Sequence, residues 1–121
     1  MPARRLRAGD LELNVVDEAR GENAGPAVLL IHGFPDSSHL WRNQIPALVS
    51  AGFRAIAPDL RGFGESEVGP PGDPYGDVPS HSRDLHALLT EEPEADADRI
   101  RSSLSRRGGH IACARGNIQN A

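Results

Sequence analysis

The sequence predicts an α/β fold, and two features of the chain carry that prediction. Residues 27–31 form an unbroken apolar run that ends in the turn His32-Gly33-Phe34-Pro35. Such a run, rich in Val, Leu and Ile, is typical of a strand buried on both faces, as in a parallel sheet. After this run, helical and strand patterns alternate along the chain, which favours parallel strands. Loops at the carboxyl ends of parallel strands carry the sites of α/β proteins, so the turn is also a candidate site.

Composition restricts the kinds of partner. The 121 residues suffice for one modest domain, and a net charge of -4 gives no reason to expect nucleic acid or an anionic membrane. No apolar stretch approaches the roughly 20 residues of a membrane span, and the amino-terminal arginines lack the apolar segment of a signal peptide. The single cysteine, Cys113, excludes an internal disulfide and fits a reducing compartment. We therefore expect a cytoplasmic protein.

The first half of the chain is predicted to contain three strands and a helix. Strands at 4–7 and 11–18 are joined by a Gly9-Asp10 turn, and the alternation in 11–18 indicates a half-covered strand near a sheet edge. A loop at 19–26 leads into the central strand, 27–32. Ser37 or Ser38 can cap the start of a helical stretch, in which we expect a short turn up to Gln44. A helix with Pro46 in its first turn then follows and is ended by Gly52.

The second half is predicted to contain one more strand and one more helix. Residues 53–57 form the strand, and the turn-rich segment after it runs into a proline- and glycine-rich loop. A helix capped by Ser80 or Ser82 then continues to Thr90. Residues 1–90 are therefore predicted to form the structured unit. Residues 91–121 contain few large apolar side chains and are predicted to be a disordered tail, with a weak strand signal at 111–114.

Two motifs taken together resemble the α/β-hydrolase family, and most closely its epoxide hydrolase branch. The first is His32-Gly33-Phe34-Pro35 after the central strand. The second is Asp59-x-Arg61-Gly62-x-Gly64-x-Ser66 after the next strand, with further likeness at 41–48, 51–54 and 57–59. The resemblance covers residues 5–90. It implies a partial α/β-hydrolase fold, made of the amino-terminal strands and first helices of a mostly parallel sheet.

The resemblance also implies a site. In this family an aspartate, or a serine in esterases, attacks a small-molecule substrate from a nucleophile elbow, and two backbone N–H groups hold the negative oxygen that develops. One of these donors maps onto Phe34, with His32, Gly33 and Pro35 as motif neighbours in the oxyanion hole and substrate-binding loop. A cis peptide is expected between Phe34 and Pro35. The family's catalytic histidine is not His32, and no cofactor or metal is implied.

The chain departs from the family in lacking the elbow. It contains neither G-x-S-x-G nor G-x-D-x-G; Ser66 follows Gly64 at the right offset, but Gly69 comes one residue too late. Ser66 also stands in a turn that the family uses structurally. With nucleophile, acid and catalytic histidine absent, no catalytic residue is assigned and the chain alone is expected to be inactive, as a truncated or frame-shifted product would be.

Other functions remain open at this stage. A dehalogenase of the same fold is one: Phe34 argues against haloalkane dehalogenases, which carry Asn there, but fluoroacetate dehalogenases share the His-Gly-Phe-Pro motif. A serine esterase is another, and a non-catalytic remnant is the third.

Several residues also have a simple structural interpretation. His32 is expected to bond to nearby backbone, and Asp59 and Arg61 to stabilise their turn by pairing with each other or with backbone. Trp41 is expected in the core or on a pocket floor. A zinc site formed by His81, His86, His110 and Cys113 is disfavoured, because His110-x-x-Cys113 has no second pair of ligands after it.

The central strand is expected to lie at an open sheet edge. No elbow strand follows to pair with residues 28–31, and the run contains no charge, proline or bulge that would discourage pairing with another chain. Self-association through this edge is therefore expected unless residues 111–114 pair with it.

Overall fold

The computed structural model describes residues 2–21, 25–90 and 110–113. The strands are β1 (Ala3–Ala8), β2 (Leu11–Glu18), β3 (Ala27–Ile31), β4 (Arg54–Pro58) and β5 (His110–Cys113). The helices are a 3₁₀ turn (Ser38–Trp41), α1 (Gln44–Ser50) and α2 (Val78–Thr90). The predicted elements are all present, with ends that differ by one to a few residues.

The strands form one mixed sheet in the order β1-β2-β4-β3-β5. The β1–β2 hairpin is antiparallel, as the Gly9-Asp10 turn predicts, and β2 also pairs antiparallel with β4. β3 pairs parallel with β4, with Leu29 opposite Ile56. The carboxyl ends of β3 and β4 therefore meet at one edge of the sheet, which brings the two sequence motifs together.

The core lies on both faces of this sheet. One cluster combines β1, β2 and alternate residues of β3 with α2, and Leu13, Leu29 and Leu88 are among its buried members. The other combines Val28 and Leu30 with α1, and Trp41 packs against it. The prediction that β3 is buried on both faces is confirmed, because its successive side chains enter different clusters. The core interpretation of Trp41 is confirmed as well.

Both short helices begin and end as their sequences predict. Ser37 caps the 3₁₀ turn, and its side chain accepts a hydrogen bond from the His39 N–H. Pro46 lies in the first turn of α1, where a missing N–H costs no helical hydrogen bond. Gly52 follows α1 with φ +94°, and the next N–H, that of Phe53, returns to the Leu48 carbonyl at 2.9 Å. This arrangement ends the helix with its last carbonyls satisfied.

The helix α2 begins earlier than predicted. Asp77 is its capping residue, since its Oδ1 accepts a hydrogen bond of 2.9 Å from the Ser80 N–H. The His81 N–H donates to the Asp77 carbonyl oxygen, also at 2.9 Å. Ser80 and Ser82 are therefore inside the helix, and Pro79 occupies its first turn, where proline is tolerated.

The expectation that β3 lies at an open edge is wrong for residues 28–31. β5 pairs parallel with β3 along that whole stretch, in a register that runs from Val28 opposite His110 to Ile31 opposite Cys113. The weak strand signal at 111–114 therefore corresponds to a strand at 110–113. The rest of the tail, 91–109 and 114–121, lies outside the described residues, and the prediction of disorder falls on it. Within the described ranges, no helix is both long enough and apolar enough to cross a bilayer.

Candidate functional site

His32 ties the start of the candidate loop to the end of the neighbouring strand. Its Nε2 accepts a hydrogen bond of 2.9 Å from the Leu60 N–H, and its Nδ1 lies 2.8 Å from the Gly33 carbonyl oxygen. Because Nε2 accepts, Nδ1 carries the proton and donates, which defines the neutral tautomer. The side chain is 3% exposed. The structural interpretation of His32 is confirmed, since the protein itself uses both ring nitrogens.

The loop that follows carries the expected cis peptide between Phe34 and Pro35. Gly33 does not adopt a positive φ. The Phe34 side chain is 73% exposed, whereas the loop before it is buried at His32. No residue in the described part of the chain accepts a hydrogen bond from the Phe34 N–H. A backbone donor is therefore available to an acceptor at this point of the sheet edge.

The Asp59 carboxylate connects three segments: the 3₁₀ turn, the segment after β4, and β2. Its Oδ1 accepts a hydrogen bond of 2.6 Å from the Ser38 N–H, and its Oδ2 accepts from the Glu65 N–H at 3.0 Å and from Asn14 Nδ2 at 3.1 Å. Burial raises the pKa of Asp59, but the hydrogen bonds lower it by more, so the pKa lies below the ordinary value of 3.8. The Asp59 carboxylate therefore stays charged and holds these three segments together.

Ser66 has the structural role that its position in the turn predicts. Its hydroxyl donates to the Asp59 carbonyl oxygen at 2.6 Å and accepts from the Asn14 N–H at 2.8 Å. Both partners are fixed by the fold, and Ser66 is 9% exposed. Its hydroxyl group connects β2 with the end of β4, and it lies outside the residues that line the cavity beside Phe34.

Of the two alternatives for Asp59 and Arg61, pairing with backbone is found and pairing with each other is not: Asp59 accepts from backbone N–H groups, and Arg61 Nη1 donates to the Asp73 carbonyl oxygen at 3.3 Å. Arg61 forms a two-pronged ion pair with Asp84 of α2, with Nε–Oδ2 and Nη2–Oδ1 distances of 2.7 and 2.6 Å, and Asp73 lies 3.5 Å from its Nη1. The hydrogen bonds to Asp84 raise the pKa of Arg61 in spite of its burial. The backbone after β4 directs the two side chains apart, so Arg61 anchors the turn to α2 while Asp59 anchors it to the Phe34 side.

A mostly apolar cavity of about 380 Å³ opens beside Phe34. Its walls come from the loops after β3 and β4 and from the first half of α2. The residues that line it are Ile31, His32, Gly33, Phe34, Leu60, Phe63, Val78, His81, Ser82 and Leu85. An apolar cavity with a few polar groups is the usual form of a small-molecule site. We take this cavity, with the Phe34 N–H at its edge, as the candidate functional site.

Aromatic rings build the rim of the cavity around Phe63. The Phe63 ring meets Phe34 edge-on at a centroid distance of 5.6 Å and His32 edge-on at 5.9 Å. Tyr75 contacts its other side at 5.6 Å. Sequence reasoning assigned the Phe34 loop to the site but did not assign Phe63. A signal existed, because Phe63 stands inside the second motif, which follows the strand beside β3.

A second cavity, of about 630 Å³, lies between the β1–β2 turn and α2. Its lining includes charged side chains, among them Asp10, Arg61 and Arg83. Arg61 is already paired with Asp84, and Arg83 donates to the Ser80 hydroxyl at 3.2 Å. These groups stabilise α2, so this cavity does not combine an apolar wall with an available donor as the first one does.

The histidines considered for zinc are not brought together in the described part of the chain. His81 lines the first cavity, and His86 lies on the exposed side of α2. The backbone of His110 and Cys113 belongs to β5. Among the described residues, no three side chains of His, Cys, Asp or Glu are grouped so that they could hold a metal ion.

The comparison with protein families agrees with this geometry. Residues 26–93 match the model of the alpha/beta hydrolase fold, which is more than half of the chain. The chain belongs to the α/β-hydrolase family. The matched segment begins just before β3 and contains both motifs and all of α2.

The similar proteins are epoxide hydrolases. An epoxide hydrolase of Caballeronia sordidicola is 54% identical over 69 residues, which are 56% of this chain and 20% of that protein. Epoxide hydrolase A of Mycobacterium tuberculosis is 41% identical over 91 residues, 74% of this chain and 27% of that protein. The match thus spans only 20% and 27% of the length of these two relatives, and the resemblance of the chain to the epoxide hydrolase branch is confirmed.

Solved structures give the same result for the fold. The crystal structure of epoxide hydrolase A from Mycobacterium thermoresistibile superposes with a TM-score of 0.64 at 38% identity, covering 74% of this chain and 27% of that one. An epoxide hydrolase from Vigna radiata gives a TM-score of 0.64 at 36% identity, covering 74% and 28%. The described part of the chain is therefore a partial α/β-hydrolase fold.

Proposed function

We propose that this chain is the amino-terminal part of an epoxide hydrolase-like enzyme and supplies one wall of its active site. The single observation that carries the proposal is the Phe34 N–H, which has no partner in the described part of the chain and stands at the edge of an apolar cavity. The relatives named as epoxide hydrolases support the reaction class. The substrate would be a small, predominantly apolar epoxide.

The role of this chain in that reaction would be electrostatic. In intact relatives with this mechanism, an aspartate carboxylate attacks an epoxide carbon and forms an ester, while the carbon–oxygen bond of the ring breaks and the ring oxygen takes up a proton to become a hydroxyl. The water consumed in the next step replaces that proton. Water then adds to the ester carbonyl, whose oxygen takes the negative charge before the diol leaves and the carboxylate returns. The Phe34 N–H would donate to that oxygen, and a donor of this kind typically contributes about 10²–10³ in rate.

This chain by itself is proposed to be inactive. Covalent catalysis needs a nucleophile, and the sequence has no elbow motif to present one. The hydroxyl of Ser66, the one serine near the expected offset, is occupied by two hydrogen bonds within the fold. A non-catalytic remnant is the second candidate function, and this missing nucleophile is the observation that favours it.

A chimera tests the proposal. Residues 1–90 of this chain would replace the matching segment of the Caballeronia sordidicola epoxide hydrolase, and hydrolysis of styrene oxide would be followed. We expect the chimera to hydrolyse the epoxide. Phe34→Ala should retain most of the rate because the N–H remains, whereas Phe34→Pro should lose about 10²-fold or more because it removes the donor. A folded chimera with no activity would contradict the proposal.

The unmodified chain is the companion measurement. We expect styrene oxide opening at the rate of the buffer blank. Turnover above the blank that disappears in Ser66→Ala would identify an unexpected nucleophile, and turnover that survives that substitution would contradict the assignment of no catalytic residue.

A further inference from the structure

His81 lines the cavity, and its ring nitrogens form no hydrogen bond with the residues that the structure describes. Its Nδ1 is buried and has no hydrogen-bond partner in the described part of the chain, and no bond to its Nε2 is found there either. The other cavity histidine, His32, has both ring nitrogens bonded. Buried polar atoms are nearly always paired with a protein group, a water or a ligand. His81 lines the cavity, so a molecule bound there could supply the partner that its ring lacks.

Gly76 leaves room for the His81 ring, because it has no side chain. The residue has φ +78°, and a Cβ built on it would lie 2.6 Å from Cε1 and 3.0 Å from Nδ1 of His81. The ring thus fills the space that a side chain at position 76 would need. No hydrogen bond from a described residue fixes the ring. Rotation about the Cβ–Cγ bond, which exchanges the positions of ring nitrogens and ring carbons, therefore breaks no hydrogen bond within that part of the chain. A nitrogen can thereby be turned to the cavity.

The surroundings of His81, burial first among them, favour the neutral imidazole. Burial lowers the pKa of His81 from 6.5; Asp84 and Asp73 raise it, while Arg61 and His32 lower it. Both oxygens of the Asp84 carboxylate are bonded to Arg61, so this carboxylate does not hold a proton on the His81 ring. A neutral imidazole can both donate and accept a hydrogen bond.

We propose that His81 is a specificity-determining residue of this cavity, where its imidazole selects small uncharged molecules that combine an apolar body with a hydroxyl or ether oxygen. The apolar body packs against Phe34, Phe63 and Leu85, and the oxygen pairs with the imidazole. An epoxide oxygen is an ether oxygen and the diol product carries hydroxyls. The inference therefore rests on the proposed function and names the part of the substrate that is recognised.

The test is a binding measurement on the full chain with two probes that differ by one hydroxyl, benzyl alcohol and toluene. Binding is followed by NMR shifts of the Phe34 and Leu60 amides. We expect the ratio of the toluene Kd to the benzyl alcohol Kd to fall about three- to tenfold in His81→Leu, the size of one lost hydrogen bond. The matched control is His86→Leu, on the exposed side of the same helix, which should leave the ratio unchanged.

A second measurement needs no variant. The ring nitrogen signals of His81 in the wild-type chain should move with benzyl alcohol and stay in place with toluene. An unchanged Kd ratio in His81→Leu, ring signals that ignore benzyl alcohol, or the absence of any cavity shift with either probe would each overturn the proposal.

These outcomes are separate from those of the chimera. Neither probe is an epoxide, so the measurement does not depend on turnover. A chimera that hydrolyses styrene oxide while the His81 ring ignores benzyl alcohol leaves the proposed function standing and removes only the assignment of His81. Selective binding of benzyl alcohol together with an inactive chimera would remove the proposed function and leave the assignment of His81 standing.

Discussion

The Asp59 carboxylate accepts a hydrogen bond of 2.6 Å from the Ser38 N–H, and this bond connects the end of β4 with the 3₁₀ turn after the Phe34 loop. Neither residue lines the cavity. The position of the Phe34 loop nevertheless depends on them, because the segment between β3 and the 3₁₀ turn is only six residues long, 32–37. The cavity wall is therefore set by a buried carboxylate behind it.

Asp59→Asn is expected to destabilise the chain by about 1–3 kcal/mol, because the amide replaces a charged acceptor of three hydrogen bonds and introduces an unsatisfied donor. The free energy of unfolding from urea titration measures the effect. Asp10→Asn, in the exposed turn between β1 and β2, is the matched control and should change stability by less than about 0.5 kcal/mol. Equal values for the two variants would contradict the central role of Asp59.

The same substitution should change the acid dependence of stability. The folded pKa of Asp59 lies below the 3.8 of its ordinary value. The contribution of the Asp59 carboxylate to the free energy of unfolding is therefore complete above pH 3.8, and it is lost as the pH falls through the pKa of Asp59 in the folded chain. We expect wild-type chain to lose stability more steeply below pH 3.8 than Asp59→Asn. Parallel curves for the two proteins in that range would show that Asp59 does not contribute as described.

Gly64→Ala is expected to be more damaging than Gly9→Ala. Both glycines have a positive φ, +54° and +63°, so both substitutions carry a strain of about 1–2 kcal/mol. A Cβ at Gly64 would also lie 2.3 Å from Asp59 Oδ2, whereas nothing lies within 4 Å of one at Gly9. Thermal unfolding should show a clearly lower Tm for Gly64→Ala. A Tm equal to that of Gly9→Ala would mean that the carboxylate moves aside without cost.

The Arg61–Asp84 pair is expected to be strongly coupled. The two side chains are only 11% and 6% exposed, so Asp84→Leu leaves a buried guanidinium with Asp73 as its remaining acid and should cost about 3 kcal/mol. Adding Arg61→Met should recover part of that loss, giving a coupling energy of about 0.5–3 kcal/mol in a double-mutant cycle. Strict additivity of the two changes would show that the pair is not energetically linked.

Ala112→Pro is expected to promote self-association. Ala112 stands opposite Leu30 within the β5–β3 register, and proline there removes a backbone N–H and fixes φ near −65°, which weakens the pairing of a strand of only four residues. The freed edge of β3 contains only apolar residues and invites pairing with another chain. Size-exclusion chromatography with light scattering should show a larger mass for this variant than for Ala112→Val, which keeps the N–H. Identical masses would argue against protection of β3 by β5.

The sequence by itself determined the local elements. The unbroken apolar run of β3, Pro46 at the start of α1 and Gly52 at its end act within a few residues, so their signals survive without knowledge of packing. The two motifs likewise indicated the family and the loop that holds Phe34, because a strand end and the turn after it are continuous in the chain.

Only the tertiary structure decided the partners of distant residues. Arg61 pairs with Asp84, 23 positions away, rather than with Asp59, since the backbone after β4 separates the two side chains. The edge of β3 is covered by a four-residue strand with a weak sequence signal, because pairing depends on which edge is free in the folded sheet. His81 belongs to the Phe34 cavity for the same reason: packing of α2 against the sheet, and no local pattern, brings its ring there.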